Sequence, residues 1–475
     1  MNADARPDPI ALPASRRRIT LTVAAVMFML LLDSTILNTS LPAIAAAQGV
    51  PPLALSAVIT VYLLAAAAVL PLASWLSDRF GLRRVFLVAV GLFTLASLAC
   101  GLSLTPTQLV LARAAQGLGG GLLLPAGRAL AMRDARKQDI IGITALLTWP
   151  MLFAPVLGPP LGGFITTYAS WRWNFLLNVP IGLVGMLLVW RWVPRSEPVP
   201  PRPLDVSGAV GAILGLVLLI SGLEWSSYAV TQATARWPGW SCMAAGLAAI
   251  GWTVAHLRRT PHPVISLEPF RHHSFAVATF GGTMASLSIQ ATPFLLPLLF
   301  QLGLGRDALA AGALLVPYFL GNLGMKTITT PILRRFGFRS VTLAASACST
   351  LSIAAFALVD AAMPWGALMV LLVVAGCARS MLMTAINTLN FVDLPGHLMG
   401  AGSTLSAISM QVASALGVAL AAIALSMSAH LSAHARVQAA DFHSAFLAIA
   451  AVSALGLLQF LRIGPDAGAE ALSRR

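Results

Sequence analysis

The sequence predicts an all-α integral membrane protein with fourteen transmembrane helices and both termini in the cytoplasm. Three observations predict it. Of 475 residues, 58% are hydrophobic and only 10% are charged, whereas a soluble domain carries about a quarter charged residues. So few polar side chains cannot cover a surface in water, and the solvent must be lipid. Fourteen apolar runs of spanning length follow one another along the chain. Finally, with the N-terminus inside, 22 of the 30 Lys and Arg fall in cytoplasmic segments. Only Arg172, Arg236, Arg306 and Arg436 fall outside, and Arg113, Arg128, Lys326 and Arg379 lie within spans. Such a bias follows the positive-inside rule and requires an even number of spans. It also accounts for the net charge of +14 without nucleic acid.

The runs lie at roughly 19–41, 55–76, 85–103, 107–130, 140–165, 175–193, 206–225, 239–257, 273–300, 308–332, 340–360, 364–389, 401–427 and 442–463. Arg16-Arg17-Arg18 before the first run imitates a signal peptide. That run is long enough to span, and many more follow it, so it reads as a retained helix.

Span one carries Leu32-Asp33-Ser34-Thr35-Ile36-Leu37-Asn38 and ends near Pro42. Asp33 is the one acid deep within a span. Between spans two and three stands Asp78-Arg79-Phe-Gly81-Leu-Arg83-Arg84. Gly81 permits a tight turn, and Asp78 can accept from a helix N-terminus or an arginine, latching two helices. A plain basic cytoplasmic turn is the simpler reading. Span four carries Arg113 with Gln116 one turn away on the same face. Its Gly117-x-Gly119 lacks the preceding strand and third glycine of a dinucleotide fingerprint.

At 1.5 Å per residue, Asp33 lies about 12 Å and Arg113 about 9 Å from the outer ends of their spans, so the two can meet. Two readings stand side by side: a structural ion pair, and a carboxyl that exchanges a proton when the arginine withdraws. Burial favours the neutral form of a lone carboxyl, and a close cation favours the charged form.

Span five holds Ala154-Pro155-x-x-Gly158-Pro159-Pro160-x-Gly162-Gly163, with Pro150 upstream. Interior prolines remove helix hydrogen bonds, and glycines admit close backbones. In hydrocarbon such a helix survives only when neighbours or a cavity satisfy its carbonyls. A bent helix packed closely by others is expected.

The proline-rich segment from Pro194 to Pro203 follows span six, and Arg258 to His273 precedes span nine. The pair of spans between them carries no deep charge, and it is expected to stand apart from any substrate path. Glu224 is at the outer end of the first of the pair. Span ten contributes Asn322 and Lys326, and ends in Arg334-Arg335-Phe-Gly337-Phe-Arg339. That ending repeats the glycine and basic residues of the first loop, as internal half-repeats of transporters do. Span twelve adds Arg379 in mid-membrane and Asn387, and span thirteen adds Gln411. Cys100, Cys242, Cys348 and Cys377 all sit in apolar runs and read as small hydrophobes. His262, His272, His273 and His397 fall in loops, not at metal-ligand spacing. No metal site, cofactor or nucleophile motif is expected, which argues against a membrane enzyme.

Four of these segments resemble one family. Asp33-Ser-Thr-Ile-Leu-Asn-Thr-Ser-Leu-Pro42, the Asp78–Arg84 loop, the Pro155–Gly163 run and Trp171-Arg-Trp-Asn-Phe-Leu-Leu-Asn178-Val-Pro180-Ile-Gly182 are similar to motifs of the major facilitator superfamily. They resemble most its fourteen-helix drug:proton antiporters. Gly321-Asn-Leu-Gly-Met-Lys326, Asn387-Thr-Leu-Asn and Asp393-Leu-Pro395 resemble the MdtD-like branch. Ala154, Ser74 and Leu82 depart from the motifs, and Arg334 stands where the second half would carry an acid.

The resemblance implies two six-helix bundles, two inserted helices, a central cavity and proton-driven multidrug export from a bacterial inner membrane. The expected organisation is a tail at 1–18, a bundle at 19–193, a linker with the extra pair at 194–272, a bundle at 273–463 and a tail at 464–475. Asp33 and Arg113 would couple protons. Asp78, Arg79, Gly81, Arg83, Arg84, Pro155, Gly158, Pro159, Gly162 and Gly163 would serve the conformational change. Asn38, Gln116, Asn322, Lys326, Arg379, Asn387 and Gln411 are expected to line the cavity. With these cations, the cavity favours neutral or anionic substrates. The expected partners are a small molecule, protons and lipid, and the expected state is a monomer. A passive uniporter and a dedicated carboxylate exporter remain as other readings.

Overall fold

The computed structural model describes residues 12–136, 139–195, 203–232, 237–432 and 437–464. Most of the N-terminal tail with Arg6, the C-terminal tail with Arg474 and Arg475, and the positions of Lys137, Arg202, Arg236 and Arg436 lie outside the described residues.

All fourteen apolar runs are helices long enough to cross a membrane, and the described residues contain no strand. In chain order the first bundle has α1 (Ala14–Thr39), α2 (Pro52–Phe80), α3 (Leu82–Leu102), α4 (Pro106–Met132), α5 (Gly142–Tyr168) and α6 (Trp173–Trp192). The inserted pair is α7 (Val206–Ser226) and α8 (Trp237–Leu257). The second bundle has α9 (His273–Gly303), α10 (Ala308–Phe336), α11 (Phe338–Leu358), α12 (Trp365–Val392), α13 (Gly396–Leu431) and α14 (Ala439–Phe460). Hydrocarbon offers the backbone no hydrogen bonds, so each crossing closes its own as a helix. Even α5 stays helical through Pro150, Pro155, Pro159 and Pro160.

The helices α1–α6 pack on one another, as do α9–α14, and the two groups meet where α5 touches α10 and α2 touches α13. The inserted pair forms a hairpin whose α7 rests on α13 and, more narrowly, on α2. The internal repeat is visible in the backbone. Gly81 (φ 84°) and Gly337 (φ 77°) make matching left-handed turns between the second and third helices of each group. A side chain with a Cβ is strained there.

The distribution of the core fixes the shape. On the face opposite the termini, one cluster joins both groups: Leu41, Ile44, Leu55 and Val58 meet Phe294, Phe300, Leu314 and Leu425. On the face of the termini there are three clusters, and none of them joins α1–α6 to α9–α14; the smallest gathers Leu257, Phe275 and Leu398 around the connection from α8 to α9. Of the larger two, one draws only on α1–α6, around Met27, Phe86 and Leu123. The other draws only on α9–α14 and the segment just after it, around Leu333, Phe338, Leu382 and Phe460. The molecule is therefore sealed on one face and split on the other.

Candidate functional site

Two polar constellations lie within the hydrophobic spans, one in each bundle. In the first bundle, Asp33 and Arg113 are each 1% exposed and meet at 2.7 Å between Oδ2 and Nη1. Helix α1 brings the acid and α4 the base, and Gly120 lets α4 lie against Leu30 and Tyr62. The same guanidinium donates to Gln116 Oε1 at 2.6 Å and, through Nε, to the Val58 carbonyl at 3.2 Å. Gln116 in turn donates to Asp33 Oδ1 at 3.0 Å and to Ser97 Oγ at 2.7 Å. Asn178 of α6 donates to Asp33 Oδ1 at 2.7 Å. The Tyr62 ring of α2 lies 4.2 Å from the guanidinium carbon.

Asp33 thus accepts three hydrogen bonds, one of them charge-assisted, in a site closed to solvent. A buried carboxylate is tolerated when it is paired and its lone pairs are filled. Gln116, expected on the cavity wall, belongs instead to this closed network. Asn178, Ser97 and Tyr62 were not singled out from the sequence as partners. Asn178 does stand within the Trp171–Gly182 motif, and that was its only signal.

In the second bundle, Arg379 on α12 donates to Gln290 Oε1 of α9 at 2.7 Å and to the Tyr318 hydroxyl of α10 at 3.3 Å. Gln290 is held in turn by a bond to Ser414 of α13 at 3.1 Å. Among the described residues, Arg379 has no carboxylate partner. Lys326 on α10 is exposed. Among the described residues, neither cation is paired with a carboxylate. Asn322, Asn38 and Gln411 are half-buried, and Asn387 is exposed in a small polar recess with Thr279, Asn390 and Ser406.

The small residues of α5 are seats for other helices. A Cβ on Gly158 would overlap Thr35 of α1, and one on Gly162 would meet Thr39 Oγ1 at 2.7 Å. A Cβ on Gly163 would run into Ala308 and Leu309 of α10, across the bundle boundary, and Gly312 sits equally close to Pro159. Thr39 donates to the Pro159 carbonyl at 3.4 Å, and its own carbonyl accepts from Gln301 of α9 at 3.0 Å. Gln301 lies in the π-helical turn Leu299–Gly303 that ends α9. These contacts all belong to the sealed face.

On the split face, Arg83 donates to the Trp190 carbonyl at 2.6 Å. Asp78, Arg79 and Arg84 are exposed, and Asp78 forms no ion pair among the described residues. The latch expected of Asp78 is not made in this shape. The inserted pair packs against the bundles. Near the end of α7, Glu224 is bonded to Ser56 and Thr60 of α2, so α7 is tied into the main body. Among the described residues, no group of His, Cys, Asp and Glu is arranged to hold a metal ion.

Comparison with known proteins agrees with this architecture. A family model described as Major Facilitator Superfamily matches residues 23–418. The chain is 36% identical over 457 residues to a protein of Pectobacterium atrosepticum named "Putative multidrug resistance protein MdtD", covering 96% of this chain and 97% of that one. It is 35% identical over 472 residues to the like-named protein of Klebsiella pneumoniae, covering 98% of each. Among solved structures, the POT family transporter PepTSo superposes with a TM-score of 0.68 at 13% identity, covering 98% of this chain and 99% of that one. The xylose transporter XylE from E. coli, in a partially occluded inward-open conformation, gives 0.62 at 12%, covering 95% and 98%. These structures carry the fold alone. With fourteen spanning helices and a family match over most of its length, the chain belongs to the Major Facilitator Superfamily and is a multi-pass inner-membrane transporter, not an enzyme.

Proposed function

We propose that this transporter is a proton-coupled antiporter that exports small amphipathic drugs or organic anions by alternating access. The observation that carries the reading is Asp33. It is a single deep acid, 1% exposed, held by an arginine and two amides from separate helices. An ionisable residue at such depth costs free energy, and in membrane transporters it usually marks an ion path. The proton gradient is the energy source, and no cofactor takes part. The termini face the cytoplasm in this reading, so the split face opens inward. In the other state the bundles rock, the outer seal parts, and Arg113 leaves Asp33 free to bind a proton.

In this reading substrate enters between the bundles, and Arg379 and Lys326, both on helices of the second bundle, offer positive charge without a neutralising acid. That feature supports a dedicated carboxylate exporter as the second reading, beside the multidrug one that the relatives' name suggests. Flux from proteoliposomes under an imposed pH gradient separates the possibilities, with cationic dyes and carboxylates as cargo. Flux of either cargo that follows the pH gradient supports an antiporter. Flux indifferent to the gradient would mean a uniporter.

A further inference from the structure

We propose that Glu224 is a second proton-carrying carboxylate, and that it latches the inserted helix α7 across the sealed face. Its Oε1 accepts from Thr60 Oγ1 at 2.7 Å and its Oε2 from Ser56 Oγ at 3.1 Å. Both hydroxyls belong to the first turns of α2 and are buried. Unlike Asp33, this carboxylate is held by neutral donors among the described residues. It can therefore exchange a proton with water without dismantling an ion pair. The ionised form engages both hydroxyls through charge-assisted bonds, and the protonated acid gives up one acceptor position.

The neighbouring packing gives the bond a mechanical role. One turn away, Ile220 is buried against Leu64 of α2 and Ala415 of α13. Helix α7 thus touches both bundles where they meet. Any motion that parts α2 from α13 must strip α7 from one of them. Its contact with α13 is the wider, so the hydroxyl pair on α2 is the side that lets go.

Other titratable groups on the packed helices differ in their distance from Glu224, and the free thiol of Cys242 is next to Met243, which packs on Gly222. Tyr62 on α2 faces Arg113. His256 on α8 is bound to Asp205 at the opposite end of the pair. Cys242 lies on α8, and His397 and His430 stand at the two ends of α13. Arg236 is outside the described residues.

The test reads opening of the seal directly and needs no substrate. Thr39 is buried in the seal. A Thr39→Cys reporter, in a chain whose four native cysteines are replaced, reacts with a maleimide in detergent only when the seal parts. Maleimide attacks the thiolate, whose population falls roughly several hundredfold from pH 8 to pH 5, so every labelling rate is divided by that of the same thiol in denatured protein at the same pH. So normalised, labelling of this parent protein is expected to accelerate on the order of tenfold between about pH 8 and about pH 5, the effect of losing one charge-assisted hydrogen bond. Glu224→Gln should label quickly at every pH, and Ser56→Ala with Thr60→Val should also label quickly at neutral pH. Each variant is first shown to be monodisperse, and Glu224→Asp serves as the carboxylate-retaining control, keeping a pH response. In an Asp33→Asn background the pH response should persist, which separates this proposal from the coupling role of Asp33. The proposal is overturned if Glu224→Gln labels at the parent rate, if its rate keeps the parent pH dependence, or if Asp33→Asn alone abolishes that dependence.

Discussion

Replacing Asp33 by Asn tests the centre of the mechanism, because the amide keeps the shape and removes the charge. At 2.7 Å the Asp33–Arg113 attraction amounts to ~6 kcal/mol at an effective dielectric constant of about 20. Desolvating two fully buried ions offsets most of that, so the pair itself contributes little net stability. Losing one partner is different. Arg113 would keep its bonds to Gln116 and Val58 but would remain an uncompensated buried charge, costing about 3–5 kcal/mol. Asp33→Asn should therefore melt well below wild type. Adding Arg113→Gln should recover part of the loss, because the orphan charge goes with it. A double-mutant cycle of melting temperatures in detergent measures that recovery. In proteoliposomes both the single and the double variant should lose gradient-driven export. Strictly additive losses of stability, or Asp33→Asn export at the wild-type rate against a gradient, would refute the reasoning.

Three other outcomes follow from the geometry. Gly163→Leu would thrust a side chain into Ala308 and Leu309, so a Thr39→Cys reporter should label faster than in the parent; unchanged labelling would mean that the seal accommodates the bulk. Arg379→Lys cannot reproduce the planar, two-sided donation to Gln290 and Tyr318, and it should weaken transport of carboxylates more than of neutral compounds; equal losses in folded protein would assign Arg379 to helix packing. Burial pushes the Asp205 carboxyl up, but the Gly208 N–H at 2.8 Å, His256 at 2.8 Å and the Val264 N–H together hold it below the usual aspartate value. Its stabilisation is thus present above the unfolded-state value of about 4 and lost as pH falls through the folded one. Hydrogen exchange around 206–210 and 258–265 should be faster in Asp205→Asn than in wild type at neutral pH. The two should converge in acid, and a gap that persists there would deny the carboxylate its role.

Much of this architecture was legible in the sequence, because hydrocarbon forces every crossing into one helix and punishes every stray charge. The fourteen runs, the Asp33–Arg113 meeting and the turns at Gly81 and Gly337 all follow from length, depth and backbone freedom. What could not be read is rotation about each helix axis. Gln116 points into the bundle and not toward the cavity because of how α4 turns against α3 and α1, and no periodicity in so apolar a helix specifies that. The same holds for Asn178 and Ser97, which reach Asp33 from α6 and α3, and for Gln290, which meets Arg379 from α9. Glu224 was visible as an acid near a span end. Its docking on α2 depends on where the inserted pair settles against the bundles, which hydropathy does not encode.

The core that spans both bundles has a consequence for how the protein is made. Its first-bundle share, including Leu41, Ile44, Leu55 and Val58, leaves the ribosome long before α14 supplies Phe442 and Phe446, a delay of roughly tens of seconds at bacterial synthesis rates. During that interval lipid tails can cover the waiting surface at little cost, since hydrocarbon solvates leucine as well as another leucine does. In the finished protein the same surface opens onto water, and each exposed Å² then costs about 25 cal/mol. A face that is harmless to leave uncovered during biogenesis becomes a barrier that every transport cycle must cross.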